Sequence, residues 1–283
     1  MSAPDIRDWG AVDAYTAAQT AQDAAVGHQS RNFRLWRGAD GVGEFRDYTT
    51  ETNDGMVVLD AVQQIQAEQA NDLAVRWNCK AGKCGSCSAE INGKPKLMCM
   101  TRLDDLPLGE PVTVEPMRAF PHVRDLVTDV SWNFRVKPRI QPFTPRAPDA
   151  PDGTWRIDQH DVDRVQEFRK CIECFLCQDV CHVLRDHHLH EEFVGPRYLV
   201  YAAALEMHPL DTADRTTELK EQFGIGYCNI TKCCTAVCPE HITITDNAII
   251  PLKERVVDRY YDPLAALVRL VRGPRRKAGD GDG

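Results

Sequence analysis

Cys79-Lys-Ala-Gly-Lys-Cys84-Gly-Ser-Cys87 sets three cysteines in a C-x4-C-x2-C run, and a fourth, Cys99, follows it. For the thiols to converge, the backbone between them must wrap tightly, and Gly82 and Gly85 permit that wrapping. Backbone N–H groups in such a loop point at the sulfurs and offset their negative charge. Upstream, Leu73, Val75 and Trp77 alternate as a strand running into Cys79. Downstream, Ala89 and Ile91 lead to Asn92-Gly93, the turn of a hairpin, and Val112 and Val114 mark a closing strand. Nearer the start, Phe33 and Leu35, then Phe45 and Tyr48, read as two short strands about a turn at Gly38–Gly43. Val58, Ala61, Val62 and Ile65 have helical spacing. The prediction is a compact β-rich domain with one helix over residues 31–119.

The cysteine spacing is that of plant-type ferredoxins, which hold a [2Fe–2S] cluster. Cys79, Cys84, Cys87 and Cys99 are its candidate ligands. The alternative is zinc, but zinc knuckles usually pair two C-x2-C units, and this run does not.

Cys171, Cys174, Cys177 and Cys181 form C-x2-C-x2-C-x3-C, the bacterial ferredoxin run, in which the fourth cysteine serves a second cluster. A second run should then exist, and Cys228, Cys233, Cys234 and Cys238-Pro239 supply it. Crossing the fourth thiols gives Cys171, Cys174, Cys177 and Cys238 to a [4Fe–4S] cluster, and Cys181, Cys228 and Cys234 to the other. A complete second run would carry cysteine at position 231, where Thr231 stands. A hydroxyl is a poor iron ligand beside thiolates, so a [3Fe–4S] cluster is expected there. Cys233 lies out of register. It reads as a buried or neighbouring thiol, or as the missing ligand that would make a second [4Fe–4S] cluster.

The chain has 283 residues, twelve cysteines and a formal net charge of -8. That balance disfavours nucleic acid as a partner. Residues 1–28 carry acidic side chains and no apolar signal core, so the cytoplasmic side, with reduced thiols, is expected. No stretch has the length of a membrane-spanning helix. The organisation predicted is an N-terminal extension over 1–30, the first domain over 31–119, and a connecting segment over 120–155. In that segment Val123, Leu126, Val127 and Val130 suggest a helix before a Pro-rich linker. A helical domain over 156–271 follows, its first helix capped by Asp158 or Asp161, and then a flexible basic tail over 272–283. That tail, with Arg272, Arg275, Arg276 and Lys277, is either a solvated terminus or attracted to anionic lipid. Neither G-x-G-x-x-G nor a P-loop is present, and no catalytic triad or carboxylate pair stands out.

A plant-type run followed by a bacterial ferredoxin pair lacking one cysteine resembles the iron–sulfur subunit of succinate dehydrogenase and fumarate reductase. The resemblance spans about residues 32–255. It extends to Met56-Val-Val-Leu-Asp-Ala61, Arg76-Trp-Asn78 before the first run, Asp125-Leu-Val-Thr-Asp129, Val136-Lys-Pro138 and Gly195-Pro196. It implies an α+β protein: an N-terminal β-grasp [2Fe–2S] ferredoxin domain and a C-terminal all-helical bacterial-ferredoxin-like domain. It implies an electron-transfer subunit of a succinate:quinone oxidoreductase, with the dicarboxylate site and FAD on a partner flavoprotein. Electrons would pass singly through [2Fe–2S], [4Fe–4S] and [3Fe–4S] clusters to quinone at a membrane anchor near the C-terminal domain, with haem a further candidate group in that anchor. The chain would sit peripherally on the cytoplasmic face of the inner or plasma membrane.

Two places depart from the family pattern. Many members have Cys-Pro and tryptophans where this chain has Cys181-His182-Val183, and a histidine where it has Asn229. These positions contribute to the quinone site in such members, so no quinone-binding residue is carried over. His182, His187, His188 and His190 read as a His-rich, partly exposed helix face, or as contacts to haem propionates or a proton path to quinone. Two other readings remain at this stage. The chain could serve another flavin-linked reductase of heterodisulfide-reductase type, or be a colourless zinc-stabilised interaction module.

Overall fold

A computed structural model of the chain describes residues 29–263 and Leu267. Residues 1–28 of the predicted extension, and the basic tail, lie outside the described residues.

β1 (Gln29–Ala39) turns Arg31, Phe33, Leu35 and Arg37 to one buried face, the period of two expected of a half-buried strand. Phe33 and Leu35 are fully covered, each worth about 1.5–3 kcal/mol of burial. β2 (Val42–Thr52) pairs antiparallel with β1 along its whole length, from Gln29 opposite Thr52 to Ala39 opposite Val42. Gly38 and Gly43 are therefore cross-strand partners, and the turn between the strands is only Asp40-Gly41. Both have positive φ, 51° and 81°, as a two-residue hairpin of this twist demands.

α1 (Val58–Glu68) buries Val58, Leu59, Ala61, Val62 and Ile65, and the Asp60 carboxylate accepts the Val57 N–H at 3.3 Å. β3 (Ser88–Ile91) and β4 (Lys94–Leu97) form the expected hairpin about Asn92-Gly93. β5 (Val112–Glu115) lies parallel to β1 and antiparallel to β3. With β6 (His122–Arg124) and β7 (Val127–Thr128), the seven-stranded sheet runs β4-β3-β5-β1-β6-β7, and β2 pairs β1.

Two local expectations fail, both because of Asp125. Residues 123–130 do not form a helix: β6 and β7 turn tightly at Asp125, whose φ is 48°. Its buried carboxylate accepts N–H groups from Gly38 at 3.0 Å, Arg37 Nε at 3.0 Å and Ala74 at 2.8 Å. Residues 73–77 do not form a strand either. Ala74 gives its N–H to Asp125 and its carbonyl to Leu126, so it has no strand partner to pair with.

The rest is helical: α2 (Ser131–Val136), α3 (Gln159–Gln166), α4 (Leu176–Asp179), α5 (His182–Arg185), α6 (Gly195–Glu206), α7 (Thr216–Glu221), α8 (Cys233–Ala236) and α9 (Ile250–Tyr260). Asp158 occupies the cap position of α3 but makes no side-chain cap bond. The Pro-rich segment is irregular yet fastened. Buried Arg215 donates to the carbonyls of Gln141 at 2.8 Å and Pro142 at 2.9 Å, and to the Asp211 carboxylate at 2.8 Å.

The protein is thus α+β, with one apolar core under the sheet and α1 and a second among the helices. The first helical cysteine run lies across the two. Cys174 and Leu176 pack into the sheet's core, and Phe175 and Cys177 into the helical one.

Candidate cluster-binding sites

The loop after residue 78 turns its N–H groups onto sulfur. Cys79 Sγ accepts the N–H groups of Ala81 and Lys83, each at 3.3 Å, and Cys84 Sγ accepts that of Cys79 at 3.5 Å. Lys80, Gly82 and Gly85 all have positive φ. A side chain on Gly82 would meet Met100 Sδ at 2.8 Å. Cys84 lies beside Cys79, and Cys87 beside Cys99. Burial opposes ionisation of Cys84, but hydrogen bonds from Ser86 and from the Cys79 and Ser86 backbone hold its thiol down to about 6. Burial pushes Cys87 up to about 12, and the neighbouring Cys99 adds to that. The four predicted thiols thus meet as two pairs, exposed Cys79 with half-buried Cys84 and buried Cys87 with buried Cys99.

Cys171, Cys174, Cys177 and Cys238 line one cavity of about 380 Å³. Burial pushes Cys174 up to about 12, and Cys177 well above the ordinary thiol range. Arg197 lines the same cavity. Its burial works against its charge, but the Cys171 sulfur and the Glu173 carboxylate outweigh that and keep it protonated. Glu173 Oε1 accepts from Arg197 Nη2 at 2.6 Å and Lys137 Nζ at 2.7 Å.

Cys181, Cys228, Cys233 and Cys234 line a second cavity of about 310 Å³, with Thr231. The two runs repeat in backbone as well as in spacing. Glu173 and Phe175 have φ of 55° and 62°, and Ile230 and Lys232, each 57 residues on, have 64° and 61°. In this repeat Thr231 stands where Cys174 stands, and Cys233 where Leu176 stands. Leu176 is buried in the sheet's core, but Cys233 faces the second cavity, 3.2 Å from the Thr231 hydroxyl. Among the described residues, no three His, Cys, Asp or Glu side chains close on one point as a single ion would need.

The two departures from the family pattern meet at the rim of this cavity, where His182 Nε2 and Asn229 Nδ2 are 3.1 Å apart. The other histidines do not share a helix face with His182, because α5 ends at Arg185. His187 and His188 are exposed beyond it, and His190 bonds the Ala119 carbonyl at 2.8 Å against the Trp132 ring. Sequence reasoning missed Arg197, Glu173 and Ser88, although Glu173 lies inside the C-x2-C step and Arg197 directly after Gly195-Pro196.

Comparison with known proteins bears on these sites. The family described as 2Fe-2S iron-sulfur cluster binding domain matches residues 32–135, and the 4Fe-4S dicluster domain matches residues 167–242. The fumarate reductase iron-sulfur subunit of Mycobacterium tuberculosis is 35% identical over 202 residues, 70% of this chain and 80% of that one. The succinate dehydrogenase iron-sulfur subunit of Paracoccus denitrificans is 28% identical over 81% of this chain and 89% of its own. A chain of the solved Mycobacterium smegmatis Sdh1 complex in the apo form superposes with a TM-score of 0.80 at 61% identity, covering 84% of this chain and all of that one. The chain belongs to the family of succinate dehydrogenase and fumarate reductase iron–sulfur subunits, and its work is electron transfer within such an oxidoreductase.

Proposed function

We propose that the chain passes electrons one at a time from FAD of a partner flavoprotein to quinone at a membrane anchor, through three clusters in line. The observation that carries this is the sorting of twelve thiols into three groups, two of which take sulfurs from both ends of the helical half. The donors fit the groups implied: soft thiolates, loop N–H groups already on sulfur, and glycines where a Cβ would collide. When bound, each cluster takes up and returns one electron. Cys79 and Cys84 would hold one iron of a [2Fe–2S] cluster, and Cys87 and Cys99 the other. Cys171, Cys174, Cys177 and Cys238 would hold a [4Fe–4S] cluster, and Cys181, Cys228 and Cys234 a [3Fe–4S] cluster, with Thr231 at the corner without iron.

The half over 31–119, whose sheet β6 and β7 carry on into the connecting segment as far as Thr128, would be the β-grasp ferredoxin domain, facing the flavoprotein. Segment 120–155 would connect it to a bacterial-ferredoxin-like helical domain over 156–271, facing the anchor and quinone, with haem as an anchor group. Among the described residues no helix is long and apolar enough to cross a membrane, and the chain would dock on the cytoplasmic face. A second reading rests on Cys233, which lines the second cavity with three other thiols: it would complete a second [4Fe–4S] cluster. Low-temperature electron paramagnetic resonance of the purified complex decides. An oxidised three-iron signal supports the first reading, and two four-iron signals on reduction support the second. Absence of succinate-dependent dye reduction by the complex would remove the assignment to this reaction.

A further inference from the structure

Arg197 is the only cation among the described residues that line the first cavity. It is 6% exposed, and a guanidinium so covered needs an acceptor for each donor. Nη2 has Glu173. The guanidinium carbon stands 5.6 Å from the ring centres of both Tyr198 and Tyr201. Nε is buried and has no acceptor among the protein atoms. This is not slack packing. Pro196 stands in the first turn of α6, and the Arg197 backbone N–H donates to Gln178 Oε1 at 3.2 Å. Gln178 follows Cys177 directly and in turn donates to Asn133 and to the Val194 carbonyl. A side chain on Gly195 would strike Gln178 Oε1 at 2.1 Å. The cation is therefore held at a wall otherwise made of four thiols, the Glu240 carboxylate and apolar side chains, with its buried Nε–H left without a protein acceptor.

We infer that Arg197 sets the redox potential of the cluster in this cavity: its Nε–H donates to a sulfur there, and its charge favours the added electron. The inference rests on the [4Fe–4S] assignment to Cys171, Cys174, Cys177 and Cys238. Hydrogen bonds to sulfur and nearby positive charge stabilise the reduced state, so the group beside Arg197 is a better acceptor than the thiols alone would make it. Glu173, shared with Lys137, moderates this, because its carboxylate offsets part of the cationic charge.

The test is a redox titration of the whole purified complex, followed by electron paramagnetic resonance for each cluster separately. Arg197→Gln, which loses the charge and the Nε–H, is expected to lower the four-iron midpoint by at least the 59 mV that corresponds to a tenfold change in a one-electron equilibrium. Arg197→Lys, which keeps the charge alone, is expected to lower it by less. Glu173→Gln is expected to raise it, an opposite shift that a loosened fold would not produce. The other two midpoints are expected to stay. An unmoved four-iron midpoint in Arg197→Gln, or an equal shift in all three clusters, overturns the inference alone. If Arg197→Gln loses the cluster, Arg197→Lys decides: a lowered midpoint supports the inference and an unchanged one overturns it. A wild-type complex without a four-iron signal overturns the cluster assignment, and the inference with it.

Discussion

Gly85 and Cys174 are in backbone contact: a Cβ on Gly85 would stand 2.5 Å from Cys174 Cα. The Ser88 hydroxyl fastens the contact, 2.9 Å from the Gly85 carbonyl and 2.8 Å from that of Cys174. The loop that gathers the first thiols thus rests directly on the run that begins the second group. Replacing Gly85 by Ala should cost about 1–2 kcal/mol for a φ of 68°, and more for the collision. The Gly85→Ala complex should melt lower and show slower reduction of the four-iron centre after flash reduction of the two-iron one. Unchanged melting and transfer would mean that the contact is dispensable.

Thr231 stands at the position of Cys174 in the repeated run. Thr231→Cys should therefore replace the oxidised three-iron resonance by a reduced four-iron one, and raise the iron content by one atom per chain. Cys233→Ser should leave the three-iron resonance in place. A three-iron resonance seen in Cys233→Ser but not in the wild type would make Cys233 the fourth ligand of a second four-iron cluster.

Removing the Asp125 carboxylate leaves Arg37 buried with part of its partnership gone, and orphans the N–H groups of Gly38 and Ala74. Breaking a buried pair from one side costs about 3–5 kcal/mol. Asp125→Ala should lower the denaturant midpoint of the complex by a corresponding amount, and Asp125→Asn by less. A loss under about 1 kcal/mol would show that water replaces the carboxylate.

Glu90 on β3 is fully covered, and Arg118 and Arg185 reach it at 3.3 Å and 3.1 Å. Burial pushes its carboxyl up to about 7, with Asp179 adding to the push and the two arginines pulling against it. The folded chain then holds the proton more tightly than the unfolded one. The stability this contributes is complete below about 4.5 and is lost as pH rises through about 7. Glu90→Gln should remove that loss, so wild type and variant should diverge across this window by up to about 1.4 kcal/mol per pH unit. Parallel stability curves would show that Glu90 is already ionised at the lower end.

The groups of thiols were legible because ligation imposes spacing on sequence directly: C-x4-C-x2-C and C-x2-C-x2-C-x3-C can be read without a fold. The hairpin at Asn92-Gly93 was legible for a related reason, since few residues tolerate its backbone; the first turn was legible only as Gly38–Gly43, because the pairing of Gly38 with Gly43 and Ala39 with Val42 that narrows it to Asp40-Gly41 lies in the strands. Residues 123–130 were misread because four apolar positions at helical spacing also suit two short strands around one left-handed residue, and nothing local announces that the Asp125 side chain has three donors waiting elsewhere. Arg197 was hidden for the opposite reason. A lone arginine on an Ala-rich helix reads as surface, and only the packing of Tyr198, Tyr201 and Gln178 about it shows that it is covered.

Cys238 stands with the first run and Cys181 with the second, so the helical half is knotted in its chemistry though not in its chain. A nascent polypeptide that has emerged only as far as Tyr227 presents neither ring whole. On the proposed ligand sets, iron delivery to this half would wait for its far end, and a break between the two runs would empty both rings together rather than one.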